Sequence, residues 1–188
     1  MPILCYKLER TNALNAYGLS GMLDRRASGL CPQKSIKHRK ADDMRIVHVK
    51  TEEQLRQAFD VRVEVFVNEQ GVPRELEMDE YDESPESCSH FIVLEGDVPI
   101  AAGRFKTFEP GVAKMQRIAV LKSYRGKGIG KVLLGEMEEE AKRQEYKQSL
   151  LDAQCTAEDF YRKLGYVTES AEPFLDANIW HVRMRKSL

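Results

Sequence analysis

Leu121-Lys122-Ser123-Tyr124-Arg125-Gly126-Lys127-Gly128-Ile129-Gly130 is the stretch on which the fold turns. Before it, residues 112–121 read as a strand. After it, Ile129, Val132, Leu133, Met137 and Ala141 recur at helical spacing opposite a face rich in Glu, Lys and Arg. Strand, glycine loop and amphipathic helix therefore follow one another. Glycines let a backbone turn tightly and approach a ligand, while the free N–H groups and positive end of the following helix suit an anion, so phosphate is the expected guest. Spacing decides which phosphate compound. A Walker-type loop needs four residues between its glycines and a Lys-[Ser/Thr] after the second, whereas three separate Gly126 from Gly130 and Val132 follows Lys131. A dinucleotide fingerprint needs its third glycine one residue later than Gly130. Read this way alone, the loop is either an anion cradle of another kind or a plain tight connection.

Upstream, residues 89–95 and 98–107 read as strands joined by Gly96-Asp97, a strong hairpin signal, and Pro110-Gly111 leads into the third strand. Residues 75–86 carry seven acids (Glu75, Glu77, Asp79, Glu80, Asp82, Glu83, Glu86), which predicts a solvated surface loop. Earlier, Thr51 and Gln54 form a capping box, and Leu55, Phe59, Val63 and Phe66 repeat every three to four residues. Val61, Val63, Val65 and Val67 alternate as a strand would, but the cap and the longer period favour a helix ended by Gly71 and Pro73. Residues 44–49 read as a first strand.

Downstream, Gly135 inside the helical segment predicts close packing there, because glycine costs about 1 kcal/mol relative to alanine in a helix. Residues 149–154 form a short strand. Thr156 with Asp159 repeats the capping pattern, Phe160 and Leu164 stand one turn apart, and Gly165 closes that helix. Val167 and residues 179–184 end the chain as strands. A helical crossover between the third strand and residues 149–154 demands a parallel pair, so the fold class is α/β (α+β type): a mixed, mostly antiparallel twisted sheet flanked by helices.

The whole chain has 188 residues, 42% of them hydrophobic, with 29 Lys and Arg against 30 Asp and Glu. This is the size and balance of one globular domain, and bulk charge points to no nucleic-acid or membrane partner. No run approaches the ~18 apolar residues of a spanning helix and no secretory leader opens the sequence, so a cytoplasmic address is expected. Cys5, Cys31, Cys88 and Cys155 are scattered without ligand-like spacing, which predicts neither a metal site nor a disulfide framework. Charge becomes informative once the chain is divided at Met44: residues 1–43 hold eight Lys and Arg against four acids and no sustained apolar period. They read as a basic N-terminal extension outside the fold, with the domain over 44–188. A targeting peptide, a nucleic-acid-binding arm and translation from upstream of a natural start at Met44 are the competing origins, the last preferred because Met44 stands at the edge of a strand. No aromatic residues interleave the basic run 34–40, which disfavours the nucleic-acid arm.

With Arg117-Ile118-Ala119-Val120 before it, Arg125-x-x-Gly128-x-Gly130 resembles the coenzyme A signature of the GNAT-type N-acetyltransferases. Residues 157–166, Ala-Glu-Asp-Phe-Tyr-Arg-Lys-Leu-Gly-Tyr, resemble that family's second motif, in which a helix-borne tyrosine faces the cofactor sulfur. Arg62-x-x-Val65-Phe66-Val67-x-Glu69-Gln70-x-Val72-Pro73 with Glu77-x-Asp79 is similar to the small bacterial ElaA- and YjcF-type branch. The resemblance covers the chain from about Met44 onward. It implies the GNAT acyl-CoA N-acyltransferase fold with a splayed parallel pair, acetyl-CoA as co-substrate without a metal, a primary amine as acceptor, and late strands that serve dimers.

Carried onto this sequence, the resemblance implies that Ile118, Ala119 and Val120 hold the pantetheine arm and acetyl carbonyl. Arg125, Gly126, Lys127, Gly128, Ile129 and Gly130 would cradle the pyrophosphate. Gln154 would touch the pantetheine, and Tyr161 would also bind the cofactor and protonate the departing thiolate. Fixed N–H donors aimed at developing negative charge are usually the largest catalytic contribution in acyl transfer, which makes the scheme physically sound. Some members carry a basic carboxylate on the strand matching 112–121, and this strand has no Asp or Glu. Glu69, Glu77 and Asp79, directly or through water, are the candidate bases, with His181 beside them. The acidic loop fits a cationic, amine-bearing acceptor. The competing reading is a module that binds acyl-CoA without turnover.

Overall fold

The computed structural model describes residues 44–188. Residues 1–43, with every expectation placed on them, lie outside the described residues. The elements are β1 (Met44–His48), α1 (Glu52–Arg62) continued by a π-helical stretch (Val63–Glu69), α2 (Arg74–Glu77), β2 (Ser89–Glu95), β3 (Val98–Glu109), β4 (Val112–Val120), α3 (Ile129–Arg143), β5 (Gln148–Gln154), α4 (Glu158–Lys163), β6 (Val167–Thr168), β7 (Phe174–Asp176) and β8 (Ile179–Ser187). They build one eight-stranded sheet in the order β1-β2-β3-β4-β5-β8-β6, with β7 also paired to β8. Every pairing is antiparallel except β4 with β5. This is the mixed sheet that the crossover demanded, plus β7, whose three residues are too few to show a period.

Helices cover both faces. On one, Phe91, Val93, Phe105 and Met115 pack under Leu133, Leu134 and Met137 of α3; on the other, Ile92, Leu94, Ala102 and Ala119 pack against Leu55, Ala58 and Val61 of α1. The successive residues 91–94 of β2 therefore alternate between two cores, which is why that strand reads as an unbroken apolar run. Two local readings of α3 fail. Val132 is 47% exposed while Leu134 is buried, so the apolar face leans toward Leu134 at that turn, with Ile129, Leu133, Met137 and Ala141 buried as expected. Nothing approaches the place a Cβ would take at Gly135. The backbone at that glycine faces open space rather than a neighbouring element.

Thr51 caps α1 as expected, its hydroxyl accepting from the Gln54 N–H at 3.3 Å, while the Gln54 side chain accepts from the Lys50 N–H at 2.8 Å. The valines at 61–67 continue that helix, and their conflict of periods resolves into a widening of the turn: the N–H of Gln70 donates to the carbonyl of Val65, five residues back. Such wide turns tend to mark functional sites, because they rotate side chains off the regular helix face. At α4, Thr156 makes no capping bond and a single tight turn over Cys155–Ala157 precedes the helix. Gly165, at φ +92°, ends α4 as expected.

The acidic loop is the largest correction. Glu77 and Asp82 are buried, with their side chains 2% exposed, and Asp79 is half-buried. Arg62 donates to Glu77 at 2.5 Å and to both oxygens of Asp82 at 2.7 and 2.8 Å. Arg104 donates to Asp82 at 2.7 Å and to both oxygens of Asp79, and Arg117 pairs with Glu77 at 3.1 Å. Three arginines from three separate elements neutralise three carboxylates. A charge count within the loop could not reveal partners distant in sequence. Glu75, Glu80, Glu83 and Glu86 remain exposed.

Candidate active site

β4 and β5 pair in parallel only from Val112↔Gln148 to Met115↔Leu151, and then diverge. The divergence coincides with a bulge: Ala102 faces Ala119 and Arg104 faces Gln116, so Arg117 and Ile118 together oppose Gly103 alone. Arg117 adopts φ +54°, a left-handed conformation costly for a residue with a side chain. Its guanidinium holds the bulge by donating to the carbonyls of Glu77 at 3.2 Å and Leu76 at 3.0 Å. Gly103 accommodates the bulge from the other strand, since a Cβ there would stand 2.8 Å from the Met137 sulfur.

On the α3 side the splay opens into a cleft of about 610 Å³. Val65, Ile118, Val120, Ile129, Phe160 and Leu164 supply apolar walls, and Gly126, Gly128 and Gly130 form one end. Gly126 and Gly128 take φ +76° and +82°, which turns their backbone in a way few other residues tolerate. Gly130 leaves a gap that a Cβ would fill, 3.4 Å from Phe160 and 3.7 Å from Val120. The first helical bond of α3 runs from the Val132 N–H to the Gly128 carbonyl, so the preceding amides are those a helix N-terminus presents to an anion. Loop curvature, missing side chains and an apolar trough fit the phosphate end and the arm of a coenzyme A thioester.

The expected cofactor residues separate here. Ile118, Val120, Arg125, Gly126, Gly128, Ile129 and Gly130 line this cleft. Ala119 turns its side chain to the opposite core, as strand alternation requires. Lys127 lies over the Tyr124 ring at 4.8 Å, away from the lining. Arg125 donates to the Val120 carbonyl at 2.9 Å and makes a two-point pair with Glu69 at 2.5 and 2.7 Å. That hydrogen bond holds the Glu69 carboxyl below its ordinary pKa. Sequence reasoning missed Lys131 and Lys163, which add positive charge to the lining; Lys131 directly follows Gly130 and Lys163 stands within the second motif.

On the far side of the splay lie two adjoining hollows of about 200 and 290 Å³, sharing Gln116, Arg117, Gln154, Asp176 and His181 as walls. Gln154 belongs to this side, where its amide donates to the Gln70 side chain at 2.9 Å across the opening. Tyr161 and Ile118 line both the large cleft and the 200 Å³ hollow, so the two spaces meet there. The Tyr161 ring packs edge-on against Phe160 at 5.0 Å and Tyr166 at 5.9 Å, and burial pushes its hydroxyl up to about 12. A tyrosine so placed carries its proton at neutral pH and so stands ready as a proton donor.

The three carboxylates expected as bases are all engaged. Glu77 and Asp79 stand in the arginine network and Glu69 is held by Arg125. Burial acts to raise the pKa of Asp79, yet the Arg104 hydrogen bond overrides it and leaves it lowered. His181 does face the hollow, and its Nδ1 stands 2.8 Å from the Ile179 carbonyl. Among the described residues, no cluster of His, Cys, Asp or Glu has metal-holding geometry, and no helix is long and apolar enough to cross a membrane.

Residues 46–188 match the acetyltransferase (GNAT) domain family. The chain belongs to the GNAT acetyltransferases. Within them it sits in the ElaA- and YjcF-like branch. It is 43% identical to the uncharacterized N-acetyltransferase YjcF of Bacillus subtilis over 143 residues, 76% of this chain and 99% of that protein. Escherichia coli ElaA superposes with a TM-score of 0.66 at 23% identity, covering 76% of this chain and 97% of that one. A GNAT acetyltransferase of Elizabethkingia anophelis, solved with acetyl-CoA bound, gives 0.60 at 17% identity over 78% and 99%. The GNAT fold of this chain thus places the glycine loop, the bulge and Tyr161 around one splayed strand pair.

Proposed function

We propose that this GNAT protein is an acetyl-CoA-dependent N-acetyltransferase that moves the acetyl group to a primary amine by direct attack, with both substrates bound together. The observation that carries the reading is the meeting of two clefts at Tyr161, one shaped for a phosphate-bearing arm and one polar and open to an acceptor. The acetyl-CoA seen in the Elizabethkingia relative supports the choice of co-substrate. When bound, acetyl-CoA supplies an activated acyl thioester. The amides of residues 126–130 hold its pyrophosphate, with charge from Arg125 and Lys131. Ile118 and Val120 line the path of its pantetheine, and the Tyr161 hydroxyl protonates the sulfur as it leaves. The cytoplasmic address expected from composition belongs to the same reading. So does a homodimer through the late strands, where Leu175 and Trp180, partners across β7 and β8, are each 56% exposed.

Calorimetric titration with acetyl-CoA, using ATP as comparison, tests this. Micromolar binding of acetyl-CoA, absent for ATP and weakened at least tenfold by Gly128→Val or Gly130→Leu, is the expected result. Failure to bind up to millimolar concentration would reduce the loop to a tight connection and end the reading.

A further inference from the structure

The three carboxylates that sequence nominates as bases are engaged with arginines, so removal of the amine proton needs another group. Gln116 is the first residue of β4 beyond its ladder with β5. Its side-chain Oε1 is buried and has no hydrogen-bond partner among the described residues. A buried acceptor left without a partner is costly, so it calls for a donor. Gln116 lines the same two hollows as His181 and Asp176. His181 pairs with Gln154 on β5 and with Phe174 on β7, and directly paired strand positions share a face. Its Nδ1 faces the Ile179 carbonyl at 2.8 Å. A carbonyl only accepts, so the proton sits on Nδ1 and the lone pair of the neutral imidazole sits on Nε2.

Charge agrees. Of the cleft's carboxylates, Asp152 pairs with Lys114 and Arg183 and Glu77 with Arg62 and Arg117, while Asp176 has no ion-pair partner among the described residues. Asp176 is therefore the carboxylate left to meet a cationic guest.

Resting on the transferase reading above, we propose that Gln116, Asp176 and His181 form the amine subsite, with His181 as the general base. Asp176 draws in the ammonium ion, Gln116 Oε1 accepts one of its N–H bonds, and His181 Nε2 takes one proton to leave a neutral amine. The amine lone pair then forms the C–N bond to the acetyl carbon as the C–S bond breaks, and the electron pair leaves on sulfur. Tyr161 gives the sulfur its proton and recovers one from the newly acylated nitrogen. His181 releases its proton to solvent, so ammonium and thioester become amide, thiol and one proton.

The test compares the wild type with His181→Gln, Gln116→Leu and Gln116→Glu, using n-butylamine, an ammonium ion at neutral pH, and methoxyamine, which is already unprotonated there. His181→Gln should lose about 100-fold in kcat with n-butylamine but stay within about threefold with methoxyamine. Gln116→Leu should raise KM for n-butylamine about tenfold, and Gln116→Glu, which keeps an acceptor, should restore it. Acetyl-CoA affinity should hold in all three, which separates this subsite from the cofactor cleft and from misfolding. Equal losses with both amines, or an unchanged KM in Gln116→Leu, would overturn the assignment. A second readout needs no turnover: the long-range ¹H–¹⁵N spectrum of the imidazoles, assigned with His181→Gln. A proton on Nδ1 of His181 upholds the proposal, and a proton on Nε2 defeats it. Binding of acetyl-CoA with transfer to neither amine would instead strike the transferase reading itself, leaving the tautomer to decide the geometry of His181.

Discussion

The two clefts that meet at Tyr161 are built in opposite ways. In the cofactor cleft the phosphate end, made of the glycine loop and the first residues of α3, comes from one short stretch, residues 124–131. It depends on local properties, glycines at positive φ and the amides of a helix start, though the apolar walls of the cleft come from the π-helical stretch, β4 and α4. The acceptor cleft takes walls from the π-helical end of α1, from β4 and β5, and from β7 and β8. Behind it lies a charge network joining residues up to forty positions apart, Glu77 to Arg117. A local site can be carried by a motif, whereas an assembled one depends on the whole domain closing correctly. Damage at a distance should therefore fall on the acceptor side first.

The sharpest way to break this asymmetry is Arg62→Met. Removing the guanidinium leaves Glu77 and Asp82 buried without their principal partner, a loss of about 3–5 kcal/mol. Thermal unfolding should shift down by roughly 10 °C, and amine transfer should fall while folded protein still binds acetyl-CoA within a few-fold. Equal loss of both functions would show that the clefts are one unit.

Tyr161→Phe acts where the clefts join. Turnover should drop about 10²- to 10³-fold with little change in acetyl-CoA affinity. Unchanged turnover would remove the hydroxyl from the chemistry, while wild-type protein that binds without turning over would favour the non-catalytic module.

Acid probes the buried network without mutation. Burial acts to raise the pKa of Asp82, but hydrogen bonds and charge from Arg62 and Arg104 override it and hold the carboxyl at about 2, below its ordinary 3.8. A depressed folded-state pKa means that the stabilisation is present above about pH 4 and disappears as pH falls toward 2. Denaturation midpoints measured from pH 6 to pH 2 should decline mainly across that window, and this part of the decline should vanish in Asp82→Asn.

The smallest effect belongs to the pair of Arg125 with Glu69. Glu69→Gln loosens the Arg125 clamp, an exposed pair whose loss should change stability by less than about 1 kcal/mol. Freed from Glu69, Arg125 should bind the coenzyme phosphates slightly better, seen as a lower Kd by calorimetry. A weaker Kd would mean that the clamp positions Arg125 for the ligand.

Legibility in the sequence followed the same division. The glycine loop, the cap at Thr51 and the hairpin at Gly96 could be read because each depends on neighbours in the chain. At 61–67 two periods overlapped, and the structure kept the helix by widening its turn. The failures at Val132, at Gly135 and in the acidic loop share one cause: each depended on what packs against it. Seven acids in a row of twelve looked like surface because Arg62, Arg104 and Arg117 stand elsewhere in the sequence.

By itself, then, the sequence determined the strand and helix order apart from α2 and β7, the parallel crossover and the anion-cradling loop, all set by periodicity and by glycine's conformational freedom. Only the tertiary structure decided which carboxylates are buried, that β4 bulges at Arg117, and that Gln116 and His181 share a cleft. Burial and ion pairing are fixed by groups that meet through folding, and no local pattern carries that information.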